Sequence, residues 1–507
     1  MMEPVKPAPI RAMSRVFPSF SLPQLWALVV VAGIWIILNL TLVRPHDFWW
    51  HVASGQRIVE LGRVPGVDLY SYTRFAEPYV YEMWLPEVAF YLLMRAGGLP
   101  LIIFFHAVTI TTAYAVVLRV CRDAAGGSLR PAVLATLAAA ALGVANWNVR
   151  PQTISFLFFA LTLFLLERDT ARPQGNGVFW LVPIMLVWAN SHGGFVLGLA
   201  LAGVYVLAGL LAWLAGRRDT GQAHPFPTRL LAAMVLSAAA TLLTPQGSAI
   251  GAYVAGILRH DTIRNLALEW MPPTVQTWEG QLFFGFVVGL AALLLASRYR
   301  LKTHEALRLL LFGALALMAR RNIAWFGMVA APVAAACLAE WSARRGAVAR
   351  TGPGRPRLNL AIASLVGLLA VASLPWLRPF LPLPAERQAY LSAETPVDAV
   401  AFLKGLPAQR AFHSEAYGSY MIWASPERPV FVDTRIELYP PTQWADYVAL
   451  SAGRYDWQEI LDRYGIDTLL LDRDKQGRLI EAAGASPSWA RVYEDAQAVV
   501  LQRRGAP

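Results

Sequence analysis

Short polar clusters interrupt an otherwise apolar chain, and their side chains are of the kinds that handle protons and phosphate. "PHDFWWH" carries Asp47 and His51, "NWNVRPQT" carries Arg150 and Gln152, and "WANSHGG" carries Asn190 and His192. Further along, "TPQG" and "LEWMPP" follow, the latter with Glu269 and Trp270, and then "ARRNIAWF" with Arg320, Arg321 and Asn322. A carboxylate such as Asp47 can take a proton from an attacking hydroxyl. Guanidinium forks match phosphate oxygens in geometry and charge. Two adjacent arginines close to apolar segments are costly there unless they face a polar cavity, which suits Arg320 and Arg321 to holding an anion. One carboxylate and several guanidiniums together suit a displacement whose leaving group is a phosphate, with the cations stabilising the charge that develops.

Each cluster also has a plainer reading. Asp47 sits where it would cap a helix over 48–61 that Gly62 ends. Trp49 and Trp50 suit anchoring at a membrane interface. His46 and His51 suit solvated side chains, and Arg150 can snorkel to a lipid phosphate. Asn190 and His192 can satisfy helix-end carbonyls, and Glu269 with Trp270 can form a loop lid. His51, four residues from Asp47, shares a helical face with it and can orient its carboxylate. Glu82 and Glu87 are further acid–base candidates in the same loop. Asp47, a histidine and a glutamate could together hold a divalent cation such as Mg or Mn; their spacing does not specify one.

The elements that must position these residues follow from composition. The chain has 507 residues, 56% of them hydrophobic and 15% charged, with a mean hydropathy of +0.44. Ordinary soluble domains are nearer one quarter charged, so this is a membrane composition. Cys121 and Cys337 form no C-x-x-C and no metal-type cluster, which argues against a disulfide framework or a thiolate site. Apolar runs at 24–43, 99–120, 131–145, 153–166, 178–189, 195–214, 230–243, 282–296, 306–318, 323–338 and 358–376 predict about eleven transmembrane helices. The first, preceded by Lys6, Arg11 and Arg15, reads as an uncleaved span.

With the N-terminus inside, Arg119, Arg122, Arg130, Arg168, Arg172, Arg217, Arg218, Arg298, Arg300, Lys302 and the run from Arg344 to Arg357 all fall in cytoplasmic connections. That asymmetry accounts for most of the +11 net charge without nucleic acid. Every polar cluster named above then lies on the opposite face. The expected layout is a cytoplasmic segment 1–23, a transmembrane domain 24–380 with a long first outer loop 44–98, and an extracytoplasmic α/β domain 383–507. In that last domain "PVFVDT", "TLLLDR" and "AVVLQR" read as strands, and "PVDAVAFLKGL" and "DWQEILDRYG" as helices.

Three features resemble the GT-C superfamily of membrane glycosyltransferases, which includes protein mannosyltransferases, aminoarabinose transferases of lipid A and Rgt-type core glycosyltransferases. They are a first span ending in the acidic motif "HDFWWH", the long loop "ASGQRIVELGRVPGVDLYSYTRFAEPYVYEMW", and a short helix "LPEVAFYLLMRAGG" running directly into the second span. The resemblance covers the N-terminal two thirds. It implies a polyprenyl-phosphate-linked sugar donor, a glycan, lipid or protein acceptor, and a bacterial inner-membrane location. By position it gives Asp47 the role of base or acceptor-positioning group. The C-terminal "HSEAYGSYMIWASPERPVFVDTR" also resembles the soluble-domain signature of oligosaccharyltransferase catalytic subunits through Tyr417–Gly418 and Asp433. Ser414, Glu415 and Ala416 stand where that signature has Trp-Trp-Asp, so a peptide acceptor is not implied. Other readings stay open: a transporter, flippase, polymerase or ligase of lipid-linked glycans, or a non-catalytic membrane protein with an outer sensor domain. A transporter should carry ionisable groups within its spans, and the apolar runs read as nearly free of them.

Overall fold

The structure is a computed structural model describing residues 20–172, 175–218, 225–345, 355–407 and 409–505. The basic residues Lys6, Arg11, Arg15 and Arg350, and most of the segment 1–23, lie outside the described residues. In chain order the helices are α1 (Leu22–Asn39), α2 (Phe48–Leu61), α3 (Trp84–Ala124), α4 (Leu129–Gly143), α5 (Ile154–Ala171), α6 (Leu181–Ala189) and α7 (Phe195–Arg218). They continue as α8 (Thr228–Ala240), α9 (Ala249–Arg259), α10 (Asp261–Leu266), α11 (Trp278–Ser297), α12 (Thr303–Met318), α13 (Ile323–Arg344) and α14 (Pro356–Ala372).

Each apolar run falls on a helix. Among the described residues six helices are long and apolar enough to cross a membrane, fewer than the runs counted from sequence. The shorter ones, α8 and α14 among them, fall below the length of a perpendicular crossing. Local signals act as written. Ser21 and Gln24 close a capping box at the start of α1. Gly62 ends α2 at φ +65°, a left-handed conformation that glycine adopts without strain. Gly98, at φ +63°, breaks α3 just before Pro100, so the short helix and the second span meet at a kink.

The helical core is built on α13, buried along most of its length. Gly327 lets it approach α4, where an added Cβ would stand 3.2 Å from Leu142, and buried alanines of α4 complete the contact. Arg308 lies inside α12 and is fully buried, with its guanidinium on Glu167 at the end of α5 and on the Tyr205 hydroxyl of α7 at 2.6 Å. Read from sequence, Arg308 passes as one charge in an apolar run; the fold shows three helices tied to it.

The C-terminal segment forms a four-stranded sheet from β1 (Ala411–His413), β2 (Thr468–Asp472), β3 (Trp489–Glu494) and β4 (Ala498–Arg503), in the order β1-β2-β4-β3. β1 runs parallel to β2, and the remaining pairs are antiparallel. "TLLLDR" and "AVVLQR" are strands, and the two expected helices form at Val397–Lys404 and Trp457–Tyr464. "PVFVDT" is not a strand of this sheet. Val430 instead makes a single bridge with Ser71 of the first loop, and the Phe431 carbonyl accepts from Thr73 Oγ1 at 2.8 Å and Gln443 Nε2 at 3.0 Å. Its apolar character reflects burial at a seam between loop and sheet.

That seam is continuous core. Phe48, Trp49 and Trp50 of α2 pack with Tyr417, Tyr420 and Met421 of the C-terminal segment. The tryptophans are therefore buried rather than anchored at an interface: Trp49 Nε1 donates to the Arg44 carbonyl and Trp50 Nε1 to Thr434 Oγ1. Gly418 has no room for a side chain, since a Cβ there would stand 2.1 Å from the Val432 carbonyl oxygen. At the centre Arg435, fully buried, bridges Asp68 of the loop at 2.8 Å and Asp433 at 2.6 Å. Tyr439 also donates to Asp433 at 2.6 Å. Burial alone would raise the Asp433 carboxyl; Arg435 and these hydrogen bonds bring it below the usual carboxylate range.

Candidate active site

A cavity of about 570 Å³ opens where the first loop, the α9–α10 connection and the C-terminal segment meet the end of the helical bundle. Asp47, His51, Glu82, Glu87, Arg150 and Gln152 line it. So do His192, Glu269, Trp270, Arg321 and Asn322, from three turns far apart in the chain.

Asp47 holds the N-cap position of α2, yet its carboxylate makes no capping hydrogen bond. Its Oδ2 lies 3.3 Å from Arg150 Nη1. The same Arg150 nitrogen lies 3.3 Å from Glu269 Oε2, and Glu269 Oε1 lies 3.7 Å from Arg321 Nη1. The result is an alternating chain, Asp47–Arg150–Glu269–Arg321, that crosses the cavity. Arg321 also stands over the Trp270 ring at 4.6 Å from its centre. Burial would raise the Glu269 carboxyl, and Arg150 and Arg321 hold it below its ordinary value. Arg150 is thus engaged by carboxylates and does not snorkel to lipid.

His51 does not orient Asp47. Its Nδ1 lies 2.8 Å from Glu87 Oε1, a contact made possible by Gly55, where a Cβ would meet the Glu87 carbonyl at 2.0 Å. His192 Nδ1 takes the Gly194 N–H at 2.9 Å and lies 3.0 Å from Ser155 Oγ. Burial, then Arg321, lowers His192 to about 3, so the ring is neutral. An Nδ1 that accepts a backbone N–H leaves the proton on Nε2, which makes His192 a donor.

Two expected residues lie elsewhere. Asn190 is consumed structurally: its Oδ1 accepts from Trp84 Nε1, and its Nδ2 serves the Leu186 and Leu243 carbonyls. Arg320 is absent from the cavity lining; its guanidinium reaches the Pro272 carbonyl at 3.4 Å. Adjacent residues at the start of a helix point in different directions, so only one of the pair faces inward. Asn322 does line the cavity, while its Nδ2 caps the Leu315 carbonyl.

Sequence reasoning missed the contribution of the C-terminal segment. Glu415, Thr434, Arg435 and Glu437 all line the cavity. Glu437 accepts from the Tyr79 hydroxyl at 3.2 Å and from Tyr253 on α9 at 3.5 Å. No spacing marks Glu437 as a site residue; docking of the seam brings it there.

Among the described residues no three His, Cys, Asp or Glu side chains gather as a set that could hold a metal ion. Asp47 is met by Arg150 and His51 by Glu87, so the residues present do not fit the expected divalent-cation site.

Burial, and after it the nearby Glu437 carboxylate, raises Glu82 from 4.5 to about 7, with the Gly193 N–H and Arg321 opposing. The folded state then holds a proton that the unfolded chain releases, so stability falls as pH rises from about 4.5 to about 7. The unfolding temperature of the detergent-solubilised protein should decline across that window, and less steeply in Glu82→Gln. Identical slopes for the two proteins would contradict this placement of Glu82.

The structure is similar to several solved ones. Archaeal oligosaccharyltransferase AglB from Archaeoglobus fulgidus, in complex with an inhibitory peptide and a dolichol-phosphate, aligns with a TM-score of 0.54 at 13% identity, over 90% of this chain and 70% of that one. ArnT from Cupriavidus metallidurans bound to undecaprenyl phosphate aligns with a TM-score of 0.51 at 15% identity, over 94% of this chain and 97% of that one. The A. fulgidus oligosaccharyltransferase complex with Zn and sulfate aligns with a TM-score of 0.51 at 14% identity, over 94% and 73%. No family model matches the sequence, and no curated protein matches it. The likeness is one of fold, the GT-C fold that the sequence led us to expect.

Proposed function

With a GT-C fold as the premise, we propose that the cavity is the active site of a glycosyltransferase. It moves a sugar from a polyprenyl-phosphate carrier to a glycan, lipid or protein acceptor on the extracytoplasmic face of a bacterial inner membrane. The observation that carries this reading is the chain Asp47–Arg150–Glu269–Arg321 across one cavity. It sets guanidiniums for a phosphate at one end and a carboxylate for an acceptor at the other. Arg321 and Arg150 take the charge that develops on the lipid phosphate as the sugar departs. His192 donates from Nε2, and Gln152 and Asn322 supply further polar contacts. Of the two roles implied for Asp47, positioning the acceptor fits best, because its charge is already balanced by Arg150.

The direct test incubates the full-length protein with radiolabelled polyprenyl-phosphate sugar and candidate acceptor extracts. Label should move to an acceptor; the absence of both transfer and undecaprenyl-phosphate binding would end this reading. Charge changes on the two sides of the chain should act in opposite directions. Arg321→Gln removes a charge-assisted hydrogen bond worth about 1.5–3 kcal/mol, so undecaprenyl phosphate should bind roughly 10- to 150-fold more weakly. Glu269→Gln removes the carboxylate that competes with phosphate for both arginines, and binding should tighten. Titration followed by tryptophan fluorescence reads both, and equal affinities in the two variants would contradict the assignment.

A further inference from the structure

The cavity holds a second acid–base pair that the Asp47 chain does not use. We propose that His51 takes the proton of the acceptor nucleophile and that Glu87 is its positioning residue. This rests on the cavity being the glycosyl-transfer site and adds the group that accepts the proton.

The two rings have opposite roles. The Gly194 N–H can only donate, so His192 Nδ1 accepts and its Nε2 carries the proton. His51 Nδ1 faces the Glu87 carboxyl at 2.8 Å. Burial raises Glu87 well above its ordinary value, with Arg435 opposing; once Glu87 ionises, it is Nδ1 that carries the proton and Nε2 that keeps the lone pair. The arrangement follows the logic of a base held in one tautomer by a buried acid. Both residues are almost fully buried in the protein yet line the cavity. Glu87 Oε2 has no hydrogen-bond partner among the described residues. The Trp50 ring, 3.5 Å from the His51 ring between centres, covers one face of the imidazole. No hydrogen bond among the described residues fixes the tautomer of the third cavity histidine, His46.

Charged and titratable groups reach His51 from several elements: Glu87 on α3, Arg150 and His192 on turns of the bundle, and Arg435 on the C-terminal segment. Burial first, then the Arg150 and Arg435 guanidiniums, holds His51 well below the ordinary imidazole value, so the ring is neutral and is free to accept once Glu87 has ionised. Protonating Asp47 would leave the Arg150 guanidinium to Glu269 alone, the carboxylate it shares with Arg321. Protonating His51 creates an ion pair with Glu87. In the step itself the acceptor oxygen forms a bond to the anomeric carbon and its proton passes to His51 Nε2. The bond from that carbon to the phosphate oxygen breaks, and its electron pair leaves on the lipid phosphate.

The experiment has two arms, both on the full-length protein. In the first, His51→Ala should lower transfer roughly 10²–10⁴-fold, with part of the activity restored by added imidazole. His51→Asn keeps a donor toward Glu87 and guards against a folding defect; it should bind undecaprenyl phosphate as the wild type does and transfer as poorly as His51→Ala. Glu87→Gln should lower kcat with the donor KM unchanged, and Glu87→Asp should recover part of it. Activity of His51→Asn above half of wild type, or no imidazole rescue, overturns the proposal. The second arm needs no turnover. In nitrogen-15 spectra of histidine-labelled protein at alkaline pH, where Glu87 is ionised, His51 should show an unprotonated Nε2 and His192 an unprotonated Nδ1. A protonated Nε2 on His51 at that pH overturns the proposal whether or not any acceptor has been found, which separates its failure from that of the transferase reading.

Discussion

Asp47→Asn is expected to abolish sugar transfer, by roughly 10²–10⁴-fold, while the protein still folds and inserts. The side chain keeps its shape, but the Arg150 guanidinium loses the charge 3.3 Å away. Arg150 then leans wholly on Glu269, the carboxylate it shares with Arg321. One end of the alternating chain is therefore released, and the groups meant for acceptor and phosphate lose their relative placement. Small misplacements are costly in catalysis, which is why the expected loss is large for so conservative a change. Because the Asp47 carboxylate caps no helix, α2 should not suffer. The measurement is transfer of labelled sugar beside an unfolding curve. Full activity would remove Asp47 from the mechanism, and a lowered unfolding temperature would return it to a structural role.

Arg435→Met is expected to be the most destabilising single change at the seam, costing about 3–5 kcal/mol. It leaves Asp68 and Asp433 buried without their shared cation. It also takes a guanidinium from beneath Tyr70 and Tyr79, whose ring centres lie 5.1 and 4.9 Å away. Since the seam carries Glu437 and Thr434 into the cavity wall, transfer should fall together with stability. Replacing Asp68, Asp433 and Arg435 together by apolar residues of similar volume should recover much of the stability, since a buried ion cluster stabilises little over well-packed side chains. Unfolding in denaturant and protease sensitivity of the first loop read the change. A loss below about 1 kcal/mol for Arg435→Met would mean that the cluster does not hold the seam.

The readable parts of this molecule were those set by local rules. Composition and the spacing of apolar runs marked a membrane bundle, and each run is a helix. Gly62, Gly98 and Pro100 ended or kinked helices at their own positions because left-handed backbone and a missing N–H act within one turn. The resemblance in "HDFWWH" and the helix that follows the loop pointed to the GT-C fold. The parts that misled involve burial, which has no local signature. "PVFVDT" has a strand's composition because it is enclosed on all sides, and the pair Trp49–Trp50 has an interface anchor's composition because it lies beneath another segment.

By itself, then, the sequence determined that its apolar runs become helices, that Gly62 ends α2, and which polar residues stand at one end of the bundle. These follow from propensity, periodicity and hydropathy along the chain. Tertiary structure alone decided that Arg321 and not Arg320 turns inward, that Asn190 is spent on carbonyls, that His51 belongs to Glu87 and not to Asp47, and that Glu437 joins the site. Each of these is a matter of which atoms come within about 3 Å across many residues of chain, and hydrogen bonds and ion pairs are made or lost over such distances.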